Sequence, residues 1–253
     1  MLGKHLIRNI FFKFGYDIRR VGMGEPAYAR PDIWNWLRSS QKIKTVIDIG
    51  ANSGEFAEFL STYFGASKTY AIEPLPSCAD TIKARSGNIK NLTVFSCALS
   101  DHEGHAVLFV NNYAPSSSLL SISSIHTSEF PETATNRGEV NVAVARLDDL
   151  IDCRDLEPGV LIKIDVQGLE HKVIRGGERV FGAAQCVMVE ISFLPMYEDQ
   201  PLFEEIHAQL HDLGFRLSGI RNQVDSTKTG QPLFMHCVYL KKNVHALALS
   251  QEK

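Results

Sequence analysis

The sequence predicts an α/β fold built on an open, mostly parallel sheet. Three observations predict it. Short apolar runs of strand character alternate with helical patterns over residues 46–97 and again over 160–213. Two of those runs, Val46-Ile47-Asp48-Ile49-Gly50 and Ile162-Lys163-Ile164-Asp165-Val166-Gln167-Gly168, carry a carboxylate at the strand end, then a glycine turn, then a helix. The composition suits one such domain with additions: 253 residues, 44% hydrophobic and 22% charged,.

Residues 1–20 hold Lys4, Arg8, Lys13, Arg19 and Arg20 against one acid, Asp17, and repeat Leu2, Leu6, Ile10 and Phe14 at every fourth position. This pattern predicts a basic amphipathic helix. It either packs on the main domain or lies on an anionic membrane surface or a lipid-linked substrate. Lys13 breaks the apolar stretch and no small-residue cleavage site follows, which argues against a signal peptide,. Gly22, Gly24, Pro26 and Pro31 mark a linker,, and 31–37 reads as a short helix. The expected division is a helical extension at 1–40, a main domain at 41–243 and a tail at 244–253.

In the main domain, strand 46–49 precedes helix 55–64, strand 69–73 precedes helix 78–85, and strand 92–97 comes next. The rhythm then breaks. Residues 105–110 and 140–146 read as strands around a polar stretch containing Ser116, Ser117, Ser118, Ser123 and Ser124. This predicts a hairpin-like insertion whose loop is either a lid above the ligand crevice or a mobile surface segment. Strand 160–165, helix 169–175 and strand 186–191 resume the alternation. Helix 202–213 stops at Gly214,. Segments 215–220 and 233–240 read as a final antiparallel pair joined by a polar loop at 221–231.

The chemistry sits at the strand ends. A strand, a glycine turn and a helix leave free backbone N–H groups and bare backbone where open parallel sheets hold nucleotide-like ligands. The turn at 48–54 lacks the Gly-x-Gly-x-x-Gly that seats a pyrophosphate,. Asp48 would repel a phosphate and suit a ligand bringing positive charge, such as S-adenosylmethionine. Glu73, ending the next strand before Pro74, can accept hydrogen bonds from both hydroxyls of a ribose. Either acid alone is an ordinary strand end; their β-α-β spacing makes the cofactor reading.

Asp165 and Glu190 end what should be adjacent strands and form a candidate catalytic pair facing an acceptor. Lys163 points to the same side as Asp165 and, if buried, needs a carboxylate partner. Ser192, Phe193, Pro195 and Tyr197 come next as candidate acceptor-pocket residues. His171, His102, His126, His207, His211 and His236 read as surface or structural histidines. No H-E-x-x-H motif or closely spaced His/Cys set appears, so zinc is not expected,. Oxygen ligands for a divalent metal exist, but no ligand set is defined. A net charge of -3 gives no reason to expect nucleic acid,. Five cysteines without a C-x-x-C pair suggest a reducing, cytoplasmic setting,. No apolar run approaches a membrane span of roughly 18 residues.

Six ordered segments carry a resemblance: Val46–Gly54 in its Asp-x-Gly-x-x-x-Gly form, Ala71-Ile72-Glu73-Pro74, Ala98-Leu99-Ser100-Asp101, Arg146-Leu147-Asp148-Asp149, Lys163-Ile164-Asp165-Val166-Gln167-Gly168-Leu169-Glu170 and Glu190-Ile191-Ser192-Phe193. With them the chain resembles the FkbM family of S-adenosylmethionine-dependent methyltransferases. The resemblance implies a Rossmann-like class I methyltransferase fold, with a seven-stranded, mostly parallel sheet, an antiparallel last strand and helices on both faces. It implies cofactor binding by Asp48, Gly50, Asn52, Gly54, Glu73 and Pro74, with Ala98 near the adenine. It suggests O-methylation of a small-molecule or glycan acceptor. An NAD-dependent oxidoreductase accounts for the β-α-β unit but not for the missing glycine motif. A non-catalytic scaffold of the same fold is argued against by the intact Asp48, Gly50, Gly54 and Glu73.

Overall fold

The computed structural model describes residues 33–242. The basic helix expected at 1–20, its linker and the tail at 244–253 lie outside the described residues. The chain divides into two units, 1–37 and 38–253. The described residues of the first are only the start of helix α1 (Ile33–Ser40). All the described strands lie in the second.

Five strands run parallel: β1 (Thr45–Ile49), β2 (Lys68–Ile72), β3 (Leu92–Phe95), β7 (Val160–Ile164) and β8 (Cys186–Ser192). With β9 (Phe215–Asp225) and β10 (Pro232–Lys241) they form one sheet in the order β3-β2-β1-β7-β8-β10-β9. Strand β10, last in the chain, is antiparallel to both neighbours and sits between β8 and β9. Every residue of β1 and β7 is buried. Coverage of both sheet faces explains why these strands read as unbroken apolar runs.

One face carries Ile47, Ile49, Ile162, Ile164, Val187 and Val189. They pack with Val173 of α6 (Glu170–Gly176), Phe181 of α7 (Glu178–Ala183) and Ile206 and Leu210 of α8 (Phe203–Asp212). On the other face Ala71 joins Ala51 and Ile82, the latter from α3 (Pro76–Ala84). Helix α2 (Glu55–Phe64) packs on β1 and β2.

The insertion is a hairpin, β5 (Gly104–Asn111) with β6 (Asn136–Ala145), widened by β4 (Ala98–Leu99) into a three-stranded sheet. Its serine-rich loop is folded rather than extended. It contains the short helix α4 (Ser124–Glu129), capped by the Ser123 hydroxyl. Ser118 donates to Gln167 O (2.7 Å), and Ser123 donates to Pro195 O (2.7 Å). These bonds bury the serines, which explains a polar run inside a compact domain,.

Two expectations change. The polar loop expected at 221–231 begins later, because β9 continues to Asp225 by pairing Asn222, Gln223 and Val224 with His236, Met235 and Phe234. An edge strand has one open side, so polar residues continue it without burial cost. Helix α7 was not anticipated; only Val180 and Phe181 of its six residues are buried, too few to make a periodic pattern,.

Candidate active site

Strand β1 ends in a turn held by backbone geometry. Gly50 has φ +73°, and a Cβ there would lie 1.9 Å from Asp165 O. The turn therefore presses against the end of β7, and only glycine fits. Gly50 and Ala51 N–H donate to Ile72 O (3.0 and 3.1 Å), tying the turn to β2. Asn52, at φ +49°, turns its N–H onto Glu73 Oε2 (2.8 Å), and Leu75 N–H donates to Glu73 Oε1 (2.9 Å). Each oxygen of Glu73 thus holds one backbone N–H and keeps a lone pair. Burial raises the Glu73 carboxyl above its ordinary range, against these N–H groups and Lys163. Arg85 braces the turn from outside, donating to Ser53 O (2.7 Å) and to Glu58 Oε2 (2.7 Å).

Beside this turn lies a cavity of about 370 Å³. Gly50, Asn52, Glu73, Pro74 and Ala98 line it, as does Asp165. Ile72, Leu75 and Leu99 give it an apolar side, and Ala114, Pro115, Ser117, Ser118 and Leu119 of the insertion form another wall. Gly54 lies behind the lining as the N-cap of α2, at φ +80°.

Asp48 does not reach the cavity. It is fully buried and faces Lys163 across the β1–β7 pairing, with Nζ 3.2 Å from Oδ1. Lys163 lines the cavity instead; it donates to Gly50 O (2.9 Å) and lies 3.6 Å from Asp165 Oδ2. Burial works to lower the Lys163 ammonium, but Asp48, Asp165 and Glu190 outweigh it and hold it charged. Burial raises Asp48, and Lys163 opposes that. The carboxylate expected to meet a cationic ligand therefore positions a lysine. The strand is covered on both faces, so the Asp48 side chain points into the protein.

Asp165 and Glu190 do come together, at the ends of adjacent β7 and β8. Gln167, at φ +60°, bridges them: its Nε2 donates to Asp165 Oδ1 and to Glu190 Oε1 (3.3 Å). Its Oε1 lies 2.7 Å from Tyr197 Oη, which is also 2.9 Å from Ser116 O. Burial would raise Asp165, but Lys163, His236 and Gln167 hold it well below the usual carboxylate range. Burial and the charges of Asp165 and Glu170 push Glu190 well above that range. The proton affinities of two neighbouring carboxyl groups are thus driven in opposite directions,.

Sequence reasoning missed His236. It pairs with Glu190 across β10 and β8, lines the cavity, and sets Nε2 3.4 Å from Glu190 Oε2 and 3.9 Å from Asp165 Oδ2. Gln167 and Arg85 were missed as well. Alternation along 233–240 puts His236 on one face, but only the sheet order identifies its neighbour. Ser192, Phe193, Pro195 and Tyr197, expected in an acceptor pocket, are not among the residues that line this cavity; the Tyr197 hydroxyl bonds to Gln167 and the insertion. Ser192 Oγ accepts from Gln200 Nε2 (3.0 Å).

A seven-stranded sheet in this order, with a cavity at the carboxyl ends of its central strands, is the Rossmann-like fold of methyltransferases. The family model for the methyltransferase FkbM domain matches residues 48–217, and the chain belongs to that family. It is 28% identical over 161 residues to the 2-O-methyltransferase NoeI of Sinorhizobium fredii (strain NBRC 101917 / NGR234), covering 61% of this chain and 66% of that one, just under two thirds of the relative. It is 23% identical over 228 residues to the 31-O-demethyl-FK506 methyltransferase FkbM of Streptomyces tacrolimicus, covering 79% and 80%. A solved methyltransferase FkbM from Methylobacillus flagellatus KT superposes with a TM-score of 0.49 at 15% identity, over 79% of this chain and 44% of that one.

Proposed function

We propose that the protein transfers the methyl group of S-adenosylmethionine to a hydroxyl oxygen of a small polyhydroxylated acceptor, a sugar or glycan in first place. The observation that carries this is one cavity with the Gly50 turn and Glu73 on one side and Asp165 and His236 on another.

The residues present fit the cofactor. The cavity, about 370 Å³, has the size of a ligand site,. The free lone pairs of Glu73 suit two ribose hydroxyls, and Ile72, Leu75, Ala98 and Leu99 offer an apolar wall for an adenine. When bound, the cofactor supplies a methyl group activated by a sulfonium. Asp165, Glu190 and His236 orient the acceptor hydroxyl and draw off its proton as the O–C bond forms and the C–S bond breaks. The insertion wall acts as a lid that keeps water from the methyl group. Asp48 acts through Lys163.

The oxygen acceptor is supported by two relatives, whose names state transfer at a 2-O and a 31-O position. Ser117, Ser118, Gln167 and Arg221 give the cavity polar groups suited to a polyol. The same reading retains the division 1–40, 41–243 and 244–253, a cytoplasmic protein, and surface contact through residues 1–20. The five cysteines are all free thiols. No described helix is long and apolar enough to cross a membrane.

Calorimetric titration with S-adenosylmethionine, S-adenosylhomocysteine and NAD tests the reading. Micromolar binding of the first two with NAD silent is expected, followed by methyl transfer from labelled cofactor to sugar acceptors. Binding of NAD alone would overturn it in favour of hydride transfer.

A further inference from the structure

Asp165, Glu190 and His236 each aim one donor atom at a common point. These atoms all lie within 4.8 Å of one another. Asp165 Oδ2 and Glu190 Oε2 face His236 Nε2 at 3.9 and 3.4 Å. The other oxygen of each carboxylate, Asp165 Oδ1 and Glu190 Oε1, is occupied by the single amide nitrogen of Gln167. Gln167 therefore turns both carboxylates so that the remaining oxygens converge. Gln167 is itself fixed by Tyr197. This is how outer hydrogen bonds orient the ligands of a metal centre.

We infer that Asp165, Glu190 and His236 form a binding site for a divalent first-row cation, with manganese(II) as its representative. Bonds of about 2.1 Å at ordinary coordination angles put neighbouring donors about 3.0–3.4 Å apart. The donors lie 3.4 and 3.9 Å apart across His236, with all three within 4.8 Å, and draw in to that spacing by side-chain rotation. Two carboxylates with one imidazole make a donor set harder than a zinc site yet suited to a transition ion.

Lys163 pairs with Asp48 and donates to Gly50 O; its ammonium also lies 3.6 Å from Asp165 Oδ2, beyond hydrogen-bond length, which leaves that oxygen a lone pair for a ligand,. Three protein ligands leave coordination positions open toward the cavity that Asp165 and His236 line.

This rests on the methyl-transfer reading for its purpose, not for its existence. A cation there would make an acceptor hydroxyl in an open position more acidic, so that Asp165, Glu190 and His236 would assist loss of its proton through the cation as the O–C bond forms and the C–S bond breaks. The cation changes no oxidation state.

The test is manganese(II) titration of chelator-treated full-length protein, read by loss of the free-ion electron paramagnetic resonance signal. S-adenosylmethionine binding is measured separately by calorimetry on the metal-free protein. One equivalent bound per chain, competed by magnesium(II), is expected, with affinity falling about tenfold or more in Glu190→Gln and in His236→Gln. Melting curves confirm that both variants fold; should one not fold, Gln167→Ala, which frees the carboxylates to turn away, serves in its place. Unsaturable binding, or binding unchanged in the folded variants, overturns the site. Cofactor binding without manganese binding defeats this inference and leaves the methyltransferase reading standing. Manganese binding without cofactor binding does the reverse.

Discussion

At the residue scale, two buried acids divide the labour of the turn. Glu73 lines the cavity, and Asp48 pairs with Lys163. Glu73→Gln places an amide NH₂ against a backbone N–H and removes the charge that strengthens a ribose hydrogen bond, so cofactor affinity should fall by about 10–100-fold, in keeping with roughly 1.5–3 kcal/mol per charged hydrogen bond. Calorimetry at constant pH measures it. Lys163→Met leaves Asp48 unpaired where it has no exposed surface, and should destabilise the fold by about 3–5 kcal/mol. Asp48→Leu combined with Lys163→Met should recover most of that, as urea unfolding of both variants beside the parent protein would reveal. Full destabilisation persisting in the double variant would mean that Asp48 does more than balance Lys163.

At the element scale, the insertion and the sheet meet through Tyr197, Gln167 and Ser118. Tyr197→Phe removes the hydroxyl that lies between Ser116 O and Gln167 Oε1. Two buried acceptors then lose a partner, at about 1–3 kcal/mol. The expected kinetic signature is a raised acceptor KM with cofactor affinity retained, because the Gly50 turn is untouched. A changed cofactor Kd with unchanged acceptor KM would refute a lid role. The strand-to-turn units at Asp48 and Asp165 were legible in the sequence because a strand, its glycine and its helix are contiguous. Glu73 was legible for the same reason. His236 was not, since its nearness to Glu190 comes from β10 lying beside β8, a pairing between segments far apart in the chain. The direction of Asp48 was not legible either; a strand buried on both faces gives no polar alternation to mark which side meets the ligand.

At the scale of the whole molecule, acids raised by burial make stability depend on pH. Glu170 accepts from the N–H groups of Val166 and Gly168 (3.1 and 3.2 Å), yet burial pushes its carboxyl up to about 7 from an ordinary 4.5. The folded protein keeps this proton where the unfolded chain has lost it. Stability is therefore full below pH 4.5 for this group and falls as pH rises from 4.5 to about 7, by at most about 3 kcal/mol. Glu170→Gln should flatten that part of the pH–stability profile. Denaturant midpoints between pH 5 and 8 would show it, and an unchanged slope would clear Glu170 of any part in it. The fold class, the parallel core and the closing antiparallel pair are all legible in the order of apolar runs. The full length of β9 is not, because its outer half takes its structure from β10 rather than from its own residues.

The position of β10 also sets a timetable for the chain as it is made. Every other strand precedes β10 in the sequence, yet β10 fills an interior place between β8 and β9. A nascent chain on the ribosome can assemble the Gly50 turn, Glu73 and the insertion wall while that place stands open. Until β10 arrives, β8 presents an unpaired edge to its neighbours in the crowded cell. His236 arrives on this same strand, so the residue that completes the cavity comes with the strand that seals the sheet. Translation that stops before residue 232 would therefore yield a product with β8 unpaired and a cavity without His236, open to quality control.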